Sequence, residues 1–259
     1  FIPVPGVDAS IVSSLKASLK KKGVNIINNA KVTGIQGGDT VSVSYELNGK
    51  SETATGSVCV VSVGRRAMTS GIGLEELGIK MNRAFVEIDA CMQTSIKNIY
   101  AIGDIVKGIQ LAHVASAQGI TAAEKIAGHT PNVDLAIVPS CIYTSPEIAS
   151  VGITEEDAKA SATPVKVGKY ITSANGKSLI SKEERGFVKI IAHADTGEIL
   201  GAQMMCARAT DMIGEMATAI ANKLTPSQLL KGMRAHPTYN EAVGEALEEL
   251  EGGAIHMAP

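Results

Sequence analysis

Apolar residues recur at helical spacing behind Asp8, at Ile11, Val12, Leu15 and Leu19, and Lys20-Lys21-Lys22 and Gly23 close the run. This pattern predicts a helix over about residues 9–22, capped by Asp8, with cations at the negative end of its dipole. Strand signals follow at 24–27, 30–36, 41–47 and 50–55, broken at Gly37-Gly38-Asp39 and at the hairpin pair Asn48-Gly49. Val58-Cys59-Val60-Val61-Ser62-Val63 is apolar on both faces, as a central parallel strand is, and ends at Gly64-Arg65-Arg66. Helix, meander and returning strand read as the second half of a nucleotide-binding α/β lobe over residues 1–66.

The pattern changes over residues 67–134. A polar stretch leads to an apolar strand at 99–102, then Gly103-Asp104, a loop and a helix from about 111 to 127. That helix is crowded with Ala112, Ala115, Ala117, Gly119, Ala122 and Ala123, small side chains that let it lie close to a sheet or a ligand. Pro131 and Asn132-Val133-Asp134 read as a linker. Residues 135–259 alternate strands (137–144, 165–171, 187–193, 198–206) with helices (155–161, 208–222, 226–232, 239–251), which fits an α+β layer. The expected architecture is therefore mixed α/β and α+β: a remnant of a nucleotide-binding domain and an α+β interface domain. Met212, Ile213, Met216 and Ile220 form one helical stripe that suits either a core or a subunit interface.

The chain has 259 residues, a formal net charge of −2 and 45% hydrophobic residues, ample for more than one core. That charge offers no electrostatic footprint for nucleic acid or an anionic membrane, and the absence of tryptophan removes one stacking platform. No apolar run approaches the ~20 residues of a membrane helix. The first residues, Phe1-Ile2-Pro3-Val4-Pro5-Gly6, do not resemble a signal peptide, and Phe1 is no initiator methionine, so the expectation is a piece of a longer protein. The four cysteines (Cys59, Cys91, Cys141, Cys206) are dispersed, with no zinc-type pairing, so no metal site is expected. Cys59 and Cys141 lie in apolar runs that predict buried, inert thiols. Dispersed free thiols fit a reducing cytoplasmic compartment.

Two constellations could carry chemistry. Gly103-Asp104 ends an apolar strand, where glycine admits a ligand and the aspartate can bond sugar hydroxyls, although such a pair is also a common turn. His236-Pro237-Thr238-Tyr239-Asn240-Glu241 puts an imidazole and a carboxylate at the mouth of a helix. Its structural reading is a capping box, with Glu241 reaching back to the Thr238 backbone. Its chemical reading is a proton-transfer histidine oriented by the carboxylate.

The segment Thr94-Ser95-Ile96-Lys97-Asn98-Ile99-Tyr100-Ala101-Ile102-Gly103-Asp104 resembles the second flavin-binding motif of the pyridine nucleotide–disulfide oxidoreductases. The resemblance implies that Asp104, behind Gly103, binds the ribitol of FAD, and that the helix start at Ala112 and His113 presents N–H groups to the flavin. Val61-Ser62-Val63-Gly64-Arg65-Arg66 looks like the family's nicotinamide-side strand end, giving Gly64, and Val32 through its backbone, to NAD. Ala67-Met68 stand where Pro-Asn usually follows the arginines. Ile142-Tyr143-Thr144-Ser145-Pro146-Glu147-Ile148-Ala149-Ser150-Val151-Gly152 is similar to the opening of the family's interface domain. His-Pro-Thr-x-x-Glu is its acid–base signature, implying that His236 accepts a thiol proton, that Glu241 orients it, and that the His236–Pro237 bond is cis.

Gly201-Ala202-Gln203-Met204-Met205 and Tyr239-Asn240-Glu241 look most like members that oxidise dihydrolipoamide. This implies a homodimer and the lipoyl domain of a 2-oxo acid dehydrogenase or glycine cleavage complex as partner. A glutathione- or mercuric-type reductase, or a non-catalytic dimerisation module, are the alternatives. No C-x-x-x-x-C occurs and no G-x-G-x-x-G opens a helix, Gly71-Ile72-Gly73 lacking the third glycine. The chain alone is therefore expected to be inactive.

Overall fold

A computed structural model describes residues 6–183 and 185–257. They form two compact units: the described residues up to Asn28 with those from Ile137 onward, and Asn29–Ala136. Helix α1 (Ala9–Lys21) starts where the spacing predicts, the Asp8 carboxylate accepting from the Ser10 N–H at 2.7 Å. Its Ile11 and Leu15 pack with Ile148, Phe187 and Met205.

Asp8 also accepts from Lys189 Nζ at 2.9 Å, Lys189 reaches Glu155 Oε1 at 2.5 Å, and Gln203 Oε1 accepts the Asp8 N–H at 3.2 Å. Burial pushes the Asp8 carboxyl up, but the bonds from Ser10 and Lys189 outweigh it and hold the group below its ordinary value. Burial likewise disfavours the charged Lys189, and Glu155 and Asp8 outweigh it, leaving the ammonium above its ordinary value. The packing thus divides the chain differently from the expected boundary at 66, because α1 shares a core and a buried ion pair with residues more than a hundred positions away.

In the second unit, β1 (Lys31–Gln36), β2 (Val41–Leu47) and β3 (Lys50–Gly56) make an antiparallel meander in that order. Asn48 and Gly49 both have positive φ, which a type I′ hairpin turn requires. Only Tyr45 of these strands is buried. The parallel strand expected over 58–63 does not form: the segment is irregular and Val63 is 93% exposed. A central strand needs neighbours on both edges, and no described residue pairs with this one. The expected strand at 24–27 is also irregular, and that at 99–102 keeps one bridge, Gln93 to Tyr100. Strands β4 (Met81–Asn82) and β5 (Phe85–Val86) pair beside a small core of Ile79, Val86, Ala101 and Val106. A 3-10 turn, Gly103–Ile105, precedes α2 (Ala112–Ile126). Gly103 has φ +75°, and a Cβ there would stand 3.3 Å from Ala115 Cβ, so glycine is what lets turn and helix touch.

The other unit continues with β6 (Ser140–Ile142), β7 (Glu147–Gly152), α3 (Glu155–Ala160), β8 (Val165–Ile171), α4 (Gly176–Ile180), β9 (Phe187–His193) and β10 (Ile199–Cys206). Helices α5 (Ala209–Ala221), α6 (Pro226–Leu229) and α7 (Glu241–Glu251) complete it. The strands form one antiparallel sheet, β6-β7-β10-β9-β8. Alternate side chains leave opposite faces. Met204 joins the core under α5 and α7, while its neighbour Met205 joins the one under α1. Met212, Ile213, Met216 and Ile220 pack into the first of these, so the helical stripe is core. α7 crosses β8 at Gly168, where a Cβ would overlap the Ala246 carbonyl oxygen.

Candidate functional site

The chain leaves α6, runs through Arg234, Ala235 and His236, crosses a cis bond to Pro237, and enters α7 at Glu241. His236 Nδ1 lies 2.8 Å from Glu241 Oε1, while Glu241 Oε2 accepts the Thr238 N–H at 2.7 Å. The half-capping and the imidazole contact coexist because a carboxylate has two oxygens.

Burial pushes the Glu241 carboxyl up, but the Thr238 N–H and His236 outweigh it and hold the group below its ordinary value. Glu241 is therefore ionised at neutral pH and can only accept hydrogen bonds. The hydrogen of a neutral ring then sits on Nδ1, and Nε2 keeps its lone pair. The His236 side chain is 76% exposed, so an incoming group can reach that lone pair.

Several further bonds fix the loop. Asn175 is buried and donates from Nδ2 to the Thr238 carbonyl at 3.1 Å, and Thr238 Oγ1 donates to the Ala235 carbonyl at 2.7 Å. Tyr239 O–H donates to Glu183 Oε2 at 2.6 Å. On α5, Glu215 Oε1 accepts from Arg234 Nη2 at 2.5 Å and Oε2 from Asn240 Nδ2 at 3.0 Å. Sequence reasoning missed Asn175 and Glu215, each far along the chain from the motif. The available signals were a helix N-cap asparagine and a carboxylate set between Met212 and Met216.

One turn along α7, Glu245 makes a second imidazole pair. Its Oε1 lies 2.5 Å from His256 Nδ1 and its Oε2 accepts the His256 N–H at 3.0 Å. The hydrogen bond and charge of Glu245 raise His256 above its ordinary value. By holding ring and backbone of one residue, this pair fastens the segment after α7.

In the other unit, the Asp104 side chain is 47% exposed and Arg65 Nη1 lies 3.6 Å from its Oδ2. Arg65 also donates to the Gln110 carbonyl at 3.0 Å, Gln110 Nε2 donates to the Asp104 carbonyl at 3.1 Å, and Gln118 Oε1 accepts the Gly103 N–H at 2.7 Å. Arg65 thus ties the segment containing Gly64, which has φ +121°, to Gly103-Asp104. Ala112 and His113 occupy the first turn of α2, whose N-cap Leu111 supplies no side-chain acceptor. An accessible carboxylate beside an uncapped helix start fits a polyol chain leading to a ring that gains negative charge. Val32 stands exposed on β1 opposite Tyr45.

All four cysteines are free. Burial pushes the Cys206 thiol up to about 12 and raises Cys141 as well, so neither offers a thiolate near neutrality. Cys59 and Cys141 are half-buried where burial was expected, Cys59 because its strand does not form. Among the described residues no group of three or more metal-binding side chains comes together, and no helix is long and apolar enough to cross a membrane.

Residues 138–247 match the pyridine nucleotide-disulphide oxidoreductase dimerisation domain, and residues 2–119 match the pyridine nucleotide-disulphide oxidoreductase domain. The chain belongs to the pyridine nucleotide–disulphide oxidoreductases. It is 43% identical to a dihydrolipoyl dehydrogenase of Bacillus subtilis, over 98% of this chain and 54% of that protein. It is 41% identical to the dihydrolipoyl dehydrogenase of Geobacillus stearothermophilus, over 97% of this chain and 54% of that one. The chain therefore spans about half the length of these relatives. Among solved structures, LpdA from Mycobacterium tuberculosis superposes with a TM-score of 0.88 at 28% identity, covering 95% of this chain and 54% of that one. The HOCl-induced flavoprotein disulfide reductase RclA from Escherichia coli superposes with a TM-score of 0.85 at 25% identity, covering 96% and 56%.

Proposed function

We propose that this chain is part of a dihydrolipoyl dehydrogenase, an enzyme that oxidises dihydrolipoamide through a disulfide and FAD and passes the electrons to NAD. The observation that carries the reading is the ionised Glu241 holding His236 Nδ1–H, in a chain more than 40% identical to two proteins of that name. A thiol reaching His236 Nε2 gives up its proton there, and the thiolate left behind is the nucleophile that disulfide exchange needs. The Glu241 carboxylate stabilises the imidazolium that results. A flavin, when bound, supplies the two-electron step between dithiol and NAD. Asp104 would hold its polyol, with Gly103, Ala112 and His113 along the approach, and Gly64 and Val32 would contact NAD.

Residues 1–66 would serve the NAD-binding lobe, 67–134 the flavin and 135–259 the interface of a homodimer in the cytoplasm. A lipoyl domain of a 2-oxo acid dehydrogenase or glycine cleavage complex would deliver the substrate. No two of the four cysteines are five apart, so the exchanging disulfide lies outside these 259 residues.

The full-length protein is expected to reduce NAD with dihydrolipoamide and to leave glutathione disulfide and mercuric ion untouched. Preference for either of the latter overturns the substrate. The 259-residue chain alone is expected to show no lipoamide turnover and little flavin after incubation with FAD. A stoichiometric yellow cofactor on it would contradict the division of labour proposed.

A further inference from the structure

We infer that Glu215 is a positioning residue for the His236–Glu241 pair, one carboxylate that grips the loop on both sides of the imidazole. The inference rests on the acid–base reading of His236. Two positions before the ring, Arg234 donates to Glu215 Oε1; four positions after it, Asn240 donates to Oε2. Asn240 is also the residue from which α7 starts, so it sets where Glu241 begins.

The anchor is firm because Glu215 projects from the middle of α5, whose Met212, Ile213 and Met216 are buried in the main core. The Arg234 side chain is only 12% exposed and lies over Gly244 of α7, where a Cβ would come within 3.2 Å of Arg234 Cδ. Its Nε is buried with no hydrogen-bond partner and its Nη1 reaches the Gly232 carbonyl only at 3.5 Å, so the 2.5 Å charge contact to Glu215 is the shortest restraint on the guanidinium. Loop residues between these grips carry Nδ1 within 2.8 Å of Glu241. Without Glu215 the grips on Arg234 and Asn240 are lost while Asn175 and Glu183 still hold Thr238 and Tyr239, and the loosened ring keeps its partner for only part of the time. A misplacement of about 1 Å at such a pair costs up to roughly a hundredfold in rate.

Two readouts test this. The first is the NMR titration of the Glu241 carboxyl together with the nitrogen signals of the His236 ring. The second is kcat and KM of the full-length enzyme with dihydrolipoamide. Glu215→Ala is expected to move the Glu241 titration upward, to mix the two ring tautomers, and to lower kcat about 10- to 100-fold with KM little changed.

Glu215→Gln should have a much smaller effect, because the Asn240 amide can turn over and stay bonded while the Gln oxygen still accepts from Arg234. Since Glu215→Ala strands a guanidinium, the Glu215→Ala/Arg234→Met double variant removes that charge too. It should regain thermal stability and keep the disordered ring. If Glu241 and the ring signals are unchanged in both Ala-containing variants, the positioning inference is overturned whatever the activity. If they move and turnover does not, positioning stands and the catalytic role of His236 falls.

Discussion

In the full-length protein, His236→Gln lowers the rate of NAD reduction by dihydrolipoamide about 10²- to 10⁴-fold, the range that a positioned acid–base group supplies. Glutamine is close to the imidazole in size and can still hydrogen-bond, but it cannot take up a proton near neutral pH. Stopped-flow measurement of the first reductive half-reaction should place the loss before any step that involves NAD. Raising the pH should recover part of it, because a substrate thiol that ionises in solution no longer needs a base. Glu241→Gln should cost less, since one amide oxygen can serve either the Nδ1–H or the Thr238 N–H but not both. A His236→Gln enzyme within twofold of the parent at neutral pH would remove the histidine from the mechanism.

Much of this pair is local and therefore legible in the sequence. Thr238 to Glu241 is a helix-start spacing, and placing a histidine before Pro237 puts the ring beside the same carboxylate. Reading the glutamate as either a cap or a partner of the imidazole sets up a false choice, because each oxygen does one of the two. The distant restraints are not legible in this way. Asn175 and Glu215 come to the loop through the packing of α4 and α5, and no periodicity encodes which polar side chain will meet a loop 19 to 63 positions away. The run Val58–Val63 failed for the opposite reason. Its composition suits a strand buried on both faces, but strand formation depends on neighbours that the described residues do not supply.

Lys189→Met should destabilise its unit by about 3–5 kcal/mol, the cost of leaving one member of a buried ion pair uncompensated. Asp8 and Lys189 are 2% and 6% exposed at their side chains, so water cannot take the place of the lost partner. Glu155 is more open and can turn toward solvent. Urea denaturation of the parent and variant chains, followed through helix signal, gives the difference directly.

Its pH dependence carries a sign that a simple packing defect lacks. In the parent, Asp8 sits below its ordinary value, so its contribution is present above about pH 4 and is lost as pH falls through the depressed folded value. In the variant the bonds from Ser10 remain but the hydrogen bond and charge of Lys189 are gone, so burial, the largest single cause acting on this group, leaves the carboxyl higher than in the parent. The variant's deficit should then shrink on acidification, because a protonated Asp8 is no longer an unpaired buried charge. A deficit independent of pH between 3 and 7 would mean that the Lys189 stem contributes through packing alone.

The central claim is that an ionised carboxylate fixes one tautomer of an accessible imidazole. Nitrogen-15 NMR of the ring in the 259-residue chain, recorded with the histidine neutral, reads that tautomer without any catalytic assay. The account predicts a protonated Nδ1 and a bare Nε2 at His236, with the preference lost in Glu241→Ala. A ring protonated at Nε2, or an even mixture unaffected by removing Glu241, would contradict it.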